Sequence, residues 1–168
     1  IGNTAFYYCS QLESVSLPNS LKTIGGGVFY GCEKLTSIII PPNVNNMGVY
    51  YRPTAVIPMP VGSFGGSGLS DVTLSEGLKT IGNYCFYGCS NLSEIKLPTS
   101  ISSIGDYCFS SCYNLSIINI PTSISSIGNR CFYNCSNLSF INLPTSISSI
   151  RNGCFEGCSK LKGNISIE

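Results

Sequence analysis

The stretch that decides the fold is Ile81-Gly82-Asn83-Tyr84-Cys85-Phe86-Tyr87-Gly88-Cys89-Ser90-Asn91-Leu92, because its pattern recurs along the chain. The pattern restarts every 23 residues at positions 104, 127 and 150, and upstream it starts at 1, 24 and, in a weaker form, 47. The single longer step, from 47 to 81, spans 34 residues and holds one repeat plus an insertion of 11. A fixed period of this length indicates stacked repeats.

Two columns of large apolar residues follow this period. The phenylalanine column contains Phe6, Phe29, Phe64, Phe86, Phe109, Phe132 and Phe155, and the leucine column contains Leu12, Leu35, Leu69, Leu92, Leu115, Leu138 and Leu161. One repeat alone would leave these side chains in water, whereas stacked copies bury each column against itself. We therefore predict that each phenylalanine lies over the phenylalanine of the next repeat.

Each repeat contains two extended pieces and a turn. Residues 92–97 alternate apolar and polar side chains, which predicts a short strand, and Pro98 ends it because proline cannot donate to a ladder. Residues 101–104 are a second extended piece, and the glycine after it, Gly105, in the same column as Gly82, suits a turn with positive φ. Cys85, Phe86 and Cys89 have the spacing of one side of a helical turn. We expect residues 1–168 to form a single domain of about seven repeats, with an insertion around 50–63.

Composition excludes several classes of function. Charged residues make up 10% of the chain and the net charge is +1, whereas a nucleic-acid binder needs a clear excess of Lys and Arg. The chain contains no His, which excludes a Ser-His-Asp triad and a histidine metal ligand. No apolar run approaches the roughly 18 residues of a membrane span, and no signal peptide is visible. We expect no cofactor and no metal.

The repeat resembles the BspA-like leucine-rich repeat family, whose unit is similar to L-x-x-I-x-L-P-x-S-(L/I)-x-x-I-G-x-x-(A/C)-F-x-x-C-x-x. This unit is matched from Leu92 to Asn114 and again from Leu115 to Asn137, and it is looser in the third repeat. The resemblance implies an α/β fold, a right-handed leucine-rich repeat solenoid with a parallel β-sheet on one face and short helical turns on the other. It also implies a location at the cell surface or outside the cell, and adhesion to host proteins or cells.

The outward-facing strand positions are the candidate partner-binding residues, because the core does not constrain them. Ile117 and Phe140 are expected to be adjacent apolar side chains with a charged rim, a pattern typical of protein contacts. The alternative is that such residues are ordinary exposed positions on a sheet. The candidate residues are Asp71, Thr73, Glu94, Lys96, Ile117, Asn119, Phe140 and Asn142.

The ten cysteines fall in two columns of the repeat. Ala5 and Val28 occupy the first column in the first two repeats, so the slot is small and apolar, and buried free thiols are favoured. Disulfides between neighbouring repeats and a structural zinc site are the alternatives. The sequons at Asn91, Asn114 and Asn137 indicate either glycosylation in a secretory context or asparagines that suit a turn.

Three classes of function follow from these observations. The leading hypothesis is a non-catalytic adhesion module that presents an open sheet face to a protein or glycan partner, such as a host-cell or matrix protein; the insertion is either part of this surface or a neutral loop. The second is head-to-tail self-association into filaments through uncapped ends. An enzyme using Asp71 and Glu94 as paired acids is the weakest, because an open sheet provides no pocket.

Overall fold

The backbone of each repeat pairs in register with the backbone of the next. The structure is a computed structural model, and it describes residues 1–51 and 60–162. We call each repeat a rung. The rungs comprise residues 1–23, 24–46, 47–80, 81–103, 104–126 and 127–149, and rung 7 starts at 150.

The described residues contain strands and turns. Every strand in the described residues contains only two to four residues, because each rung changes direction after every short extended piece. The strands are β1 (Thr23–Ile24), β2 (Ser37–Ile40), β3 (Asn46–Met47), β4 (Val49–Tyr51), β5 (Pro60–Gly62), β6 (Asp71–Leu74), β7 (Thr80–Ile81), β8 (Ser103–Ile104), β9 (Ile117–Asn119), β10 (Ser126–Ile127), β11 (Phe140–Asn142) and β12 (Ser149–Ile150).

One parallel sheet runs along the whole stack of rungs. Its strand order is β1-β3-β7-β8-β10-β12, and we call it the continuous sheet. Ile81 pairs with Ile104, and Ile127 pairs with both Ile104 and Ile150. These partners are 23 residues apart, which confirms the period read from the sequence. Met47 pairs directly with Ile81, so the insertion lies outside this sheet.

The phenylalanine column forms the centre of the core, as predicted. Neighbouring rings from Phe6 to Phe155 lie 5.4–5.6 Å apart between centroids and within 9° of parallel. The five rings from Phe29 to Phe132 are completely buried, as are the corresponding leucines from Leu35 to Leu138. Each aromatic pair stabilises the fold by about 0.5–1.5 kcal/mol beyond the burial of its area, so the stack joins every rung to its neighbours.

The second column of strands is interrupted. The β2 strand pairs with β6, and β9 pairs with β11. Between these two pairs, rung 4 contributes only an isolated bridge from Glu94 to Ile117. No backbone hydrogen bond in the described chain joins residues 69–75 to residues 92–98. We call the opening between these two segments the split.

The prediction of short helical turns is wrong for the described residues, which contain no helix, so the α component of the predicted fold class is absent there. Tyr84 and Gly88 adopt positive φ angles of 58° and 70°, and a right-handed helix cannot contain such residues. The N–H groups of Tyr84, Phe86 and Gly88 donate instead to carbonyls of the next rung, at 2.8–2.9 Å. The turn therefore forms a ladder between rungs rather than hydrogen bonds within a helix.

The glycine that follows five of the six strands of the continuous sheet has a different role from the predicted one. Gly82 does not adopt positive φ. A Cβ atom at Gly82 would lie 2.3 Å from the carbonyl oxygen of Met47, so a side chain there would collide with the backbone of the preceding rung. The glycine allows close approach of two backbones rather than a left-handed turn.

The insertion begins and ends as an antiparallel pair. The β4 strand pairs with β5, with Tyr50 opposite Val61. The central part of the predicted insertion, residues 52–59, lies outside the described residues. The insertion therefore leaves the stack next to the turn side of rung 3, and the continuous sheet passes it without a break.

Candidate partner-binding surface

The eight predicted partner-binding residues all lie exposed on one side of the second strand column. Alternate positions of the same strands are buried, among them Val72, Ile95, Ile118 and Ile141. This alternation follows from the period of two in a strand, which places successive side chains on opposite faces. The exposed residues are Asp71, Thr73, Glu94, Lys96, Ile117, Asn119, Phe140 and Asn142.

Ile117 and Phe140 lie side by side on this surface. They are direct partners in the pairing of β9 with β11, and their exposed fractions are 37% and 51%. Directly paired side chains in a sheet approach within about 5 Å at Cβ, so the two form one apolar patch. Glu94 pairs with Ile117 from the other side, and Asn119 pairs with Asn142. The patch is thus apolar at its centre and polar at its edge.

The remaining candidate residues line the split. A groove of about 660 Å³ extends along the two segments, and its lining includes Asp71, Thr73, Glu94 and Lys96. Glu76 also lines it, so three carboxylates and one ammonium group face this groove. Asp71 and Glu94 are both exposed to solvent, and the groove is open along its length rather than enclosed.

Sequence reasoning underestimated one apolar residue and missed an aromatic cluster. Ile39 is 67% exposed, the highest value among the exposed large apolar residues of the described chain, and it lies in the same column as Thr73. On the turn side, the rings of Tyr84 and Tyr107 stack at 4.8 Å, and Arg130 donates to the Tyr107 hydroxyl at 3.3 Å. The recurrence of tyrosine at the 23-residue period was the available signal for this cluster.

The three sequon asparagines lie on one edge of the stack. Asn91 and Asn114 are exposed, and Asn137 is half-buried. The Asn137 Nδ2 atom donates to Asn114 Oδ1 at 3.2 Å, and Asn91 Nδ2 donates to the Gly68 carbonyl at 3.4 Å. These contacts give the asparagines a structural role, and their glycosylation stays a prediction.

Nine of the ten cysteines are buried and free, and Cys9 is exposed. In the second cysteine column the thiols donate to phenylalanine carbonyls of the preceding rung, for example Cys89 to Phe64 and Cys112 to Phe86, each at 3.1 Å. Burial raises the pKa of the Cys89 thiol to about 11. A raised pKa disfavours the reactive thiolate, so these cysteines serve packing and hydrogen bonding.

No group of three or more Cys, Asp or Glu side chains that could hold a metal ion occurs among residues 1–51 and 60–162. The same residues contain no helix long and apolar enough to cross a bilayer.

Stacked rungs, a parallel sheet and a column of leucines define a leucine-rich repeat protein. The model of the BspA-type leucine-rich repeat region matches residues 1–51 and 58–168 in six copies. The chain therefore belongs to the BspA-type leucine-rich repeat family.

Solved structures of bacterial leucine-rich repeat proteins share this fold. A protein from T. pallidum is 30% identical, with a TM-score of 0.75 over 86% of this chain and 65% of that one. A protein from Eubacterium ventriosum is 29% identical, with a TM-score of 0.81 over 96% of this chain and 41% of that one. A third, from Bacteroides ovatus, is 25% identical, with a TM-score of 0.51 over 95% and 50%.

This chain thus spans from about two fifths to just under two thirds of the length of these structures. A comparison with curated proteins found no match.

Proposed function

We propose that the protein is a non-catalytic binding module, and that its partner contacts the apolar patch of Ile117 and Phe140. The observation that carries the proposal is that two large apolar side chains pair directly on an otherwise polar sheet and remain exposed. Burial of an exposed Phe or Ile against a partner contributes about 1.5–3 kcal/mol each. A protein gains this energy only when a partner covers the patch.

The backbone beneath the patch is anchored in the core, which favours binding. Phe140 and Ile117 stand on strands whose buried neighbours, Ile141 and Ile118, pack into the core. A rigid platform loses little conformational entropy when a partner binds. Support for a protein partner also comes from the polar edge formed by Glu94, Asn119 and Asn142, because contact surfaces combine an apolar centre with a polar rim.

We further propose a cell-surface or extracellular location and adhesion to a host-cell or matrix protein, or to a glycan. This part rests on the family, whose repeat is matched over most of the chain. We also propose that residues 1–168 form a single right-handed domain of seven rungs, as the strand order of the continuous sheet suggests.

The test compares Phe140→Asp and Ile117→Asp with Tyr113→Asp. Tyr113 is 48% exposed and lies on the turn side, so it is the matched control for a new charge at an exposed ring. Binding to a panel of purified matrix proteins and glycans should weaken at least tenfold in the first two variants, which corresponds to about 1.4 kcal/mol. Thermal stability should stay within about 0.5 kcal/mol of the parent. Equal binding by all three variants would remove the patch from consideration.

A second candidate function is head-to-tail association. In rung 1, Phe6, Leu12 and Leu17 are only half-buried, whereas Phe29 and Leu35 in rung 2 are completely buried. The free face of rung 1 fits either a further rung of the same chain or a rung of another copy. Light scattering over a range of concentrations tests the second arrangement: a mass that grows with concentration supports it, and a constant monomer mass rejects it.

A further inference from the structure

On the turn side, tyrosine recurs at two positions of the repeat, and rung 3 has glycine at both. At the first position rungs 4 and 5 have Tyr84 and Tyr107, and rung 3 has Gly62. The rings of Tyr84 and Tyr107 stack at 4.8 Å and within 6° of parallel. Because this stack follows the order of the rungs, the other face of the Tyr84 ring is directed towards rung 3, where Gly62 has no side chain.

The second position is interrupted in the same rung. Rungs 2 and 4 have Tyr30 and Tyr87 there, and between them rung 3 has Gly65. A Cβ atom at Gly65 would lie 2.8 Å from the Tyr30 ring, so this ring leans over the glycine. The rings of Tyr84 and Tyr87 lie 5.8 Å apart between centroids and are tilted by 55°. Tyrosine rings of rungs 2 and 4 therefore stand on two sides of a space above rung 3.

This space is a cavity of about 280 Å³, which we call the tyrosine cavity. It is lined by β5 and by four tyrosines, Tyr30, Tyr84, Tyr87 and Tyr107. None of these lining residues carries a charge at neutral pH. The volume is close to the lower limit of roughly 300 Å³ for small-molecule sites, so the cavity fits one compact group rather than a folded partner.

The electrostatic surroundings of the tyrosine cavity favour a cation. Burial raises the pKa of the Tyr84 hydroxyl, and the neighbouring Tyr107 raises it further. Tyr51 and the carboxylate of Asp106 act in the same direction. An environment that opposes a negative phenolate favours a positive group, and the faces of tyrosine rings attract cations through their quadrupole. Asp106 accepts hydrogen bonds from the backbone N–H and Nδ2 of Asn129, so it adds negative charge without lining the cavity.

Further along the stack, the turn side already places a cation on a tyrosine ring. Arg130 occupies in rung 6 the repeat position of Tyr84, and its guanidinium carbon lies 5.3 Å from the ring centroid of Tyr133. The Arg130 charge is balanced by Glu156, with Nε 3.8 Å from a carboxylate oxygen. The geometry of the turns therefore brings a cation and a ring face into contact where both are present.

We propose that the tyrosine cavity binds a quaternary ammonium group, the trimethylammonium head of a choline-type ligand. Such a group has no N–H that requires an acceptor, so an uncharged aromatic lining suits it, whereas a primary ammonium would lose its hydrogen bonds to water. Its methyl groups pack on the rings of Tyr84 and Tyr87, and its charge is attracted by rings whose centroids lie within about 6 Å. This site lies on the turn side and is distinct from the apolar patch of Ile117 and Phe140.

The test titrates the protein with choline and follows the N-methyl protons by nuclear magnetic resonance. Methyl groups over ring faces should shift upfield, with a dissociation constant below about 5 mM. The matched probe is 3,3-dimethyl-1-butanol, which has the shape of choline without its charge, and it should bind at least about fivefold more weakly. Ethanolamine, a primary ammonium, should also bind at least about fivefold more weakly. Sedimentation with vesicles of phosphatidylcholine, compared with phosphatidylglycerol, then distinguishes a lipid headgroup from a soluble ligand.

Protein variants locate the binding. Tyr84→Leu and Tyr87→Leu should each weaken choline at least about threefold, whereas Tyr84→Phe keeps a ring and should stay within about twofold. Tyr113→Leu removes an exposed ring that does not line the cavity, so it is the matched control and should leave the affinity unchanged. Phe140→Asp should also leave it unchanged, so failure of the proposed patch and failure of this site are distinguishable.

Several results would overturn the proposal. Absence of an upfield shift at about 20 mM choline, well above the expected dissociation constant, would reject it without any variant. Equal affinity for the neutral analogue would show that the cavity selects shape alone, and equal weakening by Tyr113→Leu would place the binding elsewhere. A proline-rich peptide that shifts the ring resonances of Tyr84 and Tyr87 while choline does not would assign the cavity to a polyproline segment instead.

Discussion

The two strand columns of the molecule are built from the same repeats, yet only one of them is continuous. In the continuous sheet every rung from β1 to β12 pairs with the next. In the second column the pairing stops between β6 and the segment of Glu94. The same two rungs are thus paired on one side and open on the other.

Local side chains contribute to this difference at the junction of rungs 3 and 4. At Gly82 the absence of a side chain lets the backbone approach that of Met47 closely, which favours pairing in the continuous sheet. At the split, Asp71 and Glu94 occupy the same repeat position in neighbouring rungs. Like charges opposite each other destabilise a strand pair by roughly 0.2–1 kcal/mol. Core packing therefore fixes the order of the rungs. Like charge opposes outer pairing at the split, whereas residues 14–17 and 37–40 of rungs 1 and 2 lack this pairing without it.

The largest expected effect is that of raised pH on the buried cysteine thiols, which lie in the core that both strand columns share. The Cys89 thiol donates to the Phe64 carbonyl at the junction of rungs 3 and 4 and has a pKa raised to about 11 by burial, against 9.0 for a free thiol. The folded state holds this proton more tightly than the unfolded state does. The contribution of the thiol to the free energy of unfolding is therefore fully present below pH 9 and is lost between about pH 9 and 11. At pH 10 the Cys89 thiol alone lowers the free energy of unfolding by about 1 kcal/mol.

Nine buried thiols should therefore produce steep alkaline unfolding, measurable by circular dichroism under reducing conditions. Reversal on return to about pH 8, a pH at which thiols stay protonated, is the control for chemical damage. A melting temperature that stays constant from about pH 8 to 10.5 would show that burial does not hold these protons.

The second largest effect concerns the phenylalanine stack at the junction of rungs 3 and 4. Phe86→Ala should lower the free energy of unfolding by about 3–5 kcal/mol, the usual cost of removing a buried phenylalanine. Phe109→Ala is the matched control, because both rings are completely buried and stack on two neighbours at 5.4–5.6 Å. We expect the loss at Phe86 to be at least as large, since its junction lacks outer strand pairing. A clearly smaller loss at Phe86 in urea denaturation would contradict this.

The sequence predicted the stacking of rungs because the period is expressed in the core itself. Phe86 and Phe109 can only be buried together if they superimpose, so a recurring phenylalanine specifies the register. The alternation of Ile117 with buried Ile118 likewise follows from strand geometry. The exposure of all eight outward residues could therefore be read from the sequence.

The turn conformation and the split could not be read in the same way. Cys85, Phe86 and Cys89 have helical spacing, but Tyr84 has a left-handed backbone, which tertiary hydrogen bonds impose on a residue that does not favour it. The available signal of positive φ was glycine at 27 and 153, in the column of Tyr84, and at 31, 66, 88 and 157. The split depends on whether the outer segments of two neighbouring rungs can pair. The sequence of one repeat alone does not determine this.

A moderate effect is expected when proline replaces serine at two equivalent positions, one with a paired backbone N–H group and one with an unpaired N–H group. Ser116 N–H donates to the Ser93 carbonyl at 3.0 Å, whereas Ser93 N–H has no partner in rung 3. Proline has no N–H, so Ser116→Pro should cost about 1–3 kcal/mol more than Ser93→Pro. Urea denaturation measures the difference, and Ser116→Ala controls for the lost hydroxyl, which also contacts Ser93. Equal losses for both proline variants would mean that the split is paired in solution.

The smallest effect tests the cause assigned to the split. Glu94→Ser places at this position the residue that rung 2 has at Ser37, which pairs with Asp71. Removal of the like charge should raise the free energy of unfolding by roughly 0.2–1 kcal/mol and slow hydrogen exchange at the amide of residue 93. Lys96→Ser, which removes a charge of the opposite sign, should leave that exchange unchanged. If Glu94→Ser gives no added protection, repulsion between the carboxylates does not hold the strands apart, and the geometry of rung 3 after its insertion becomes the cause to test next.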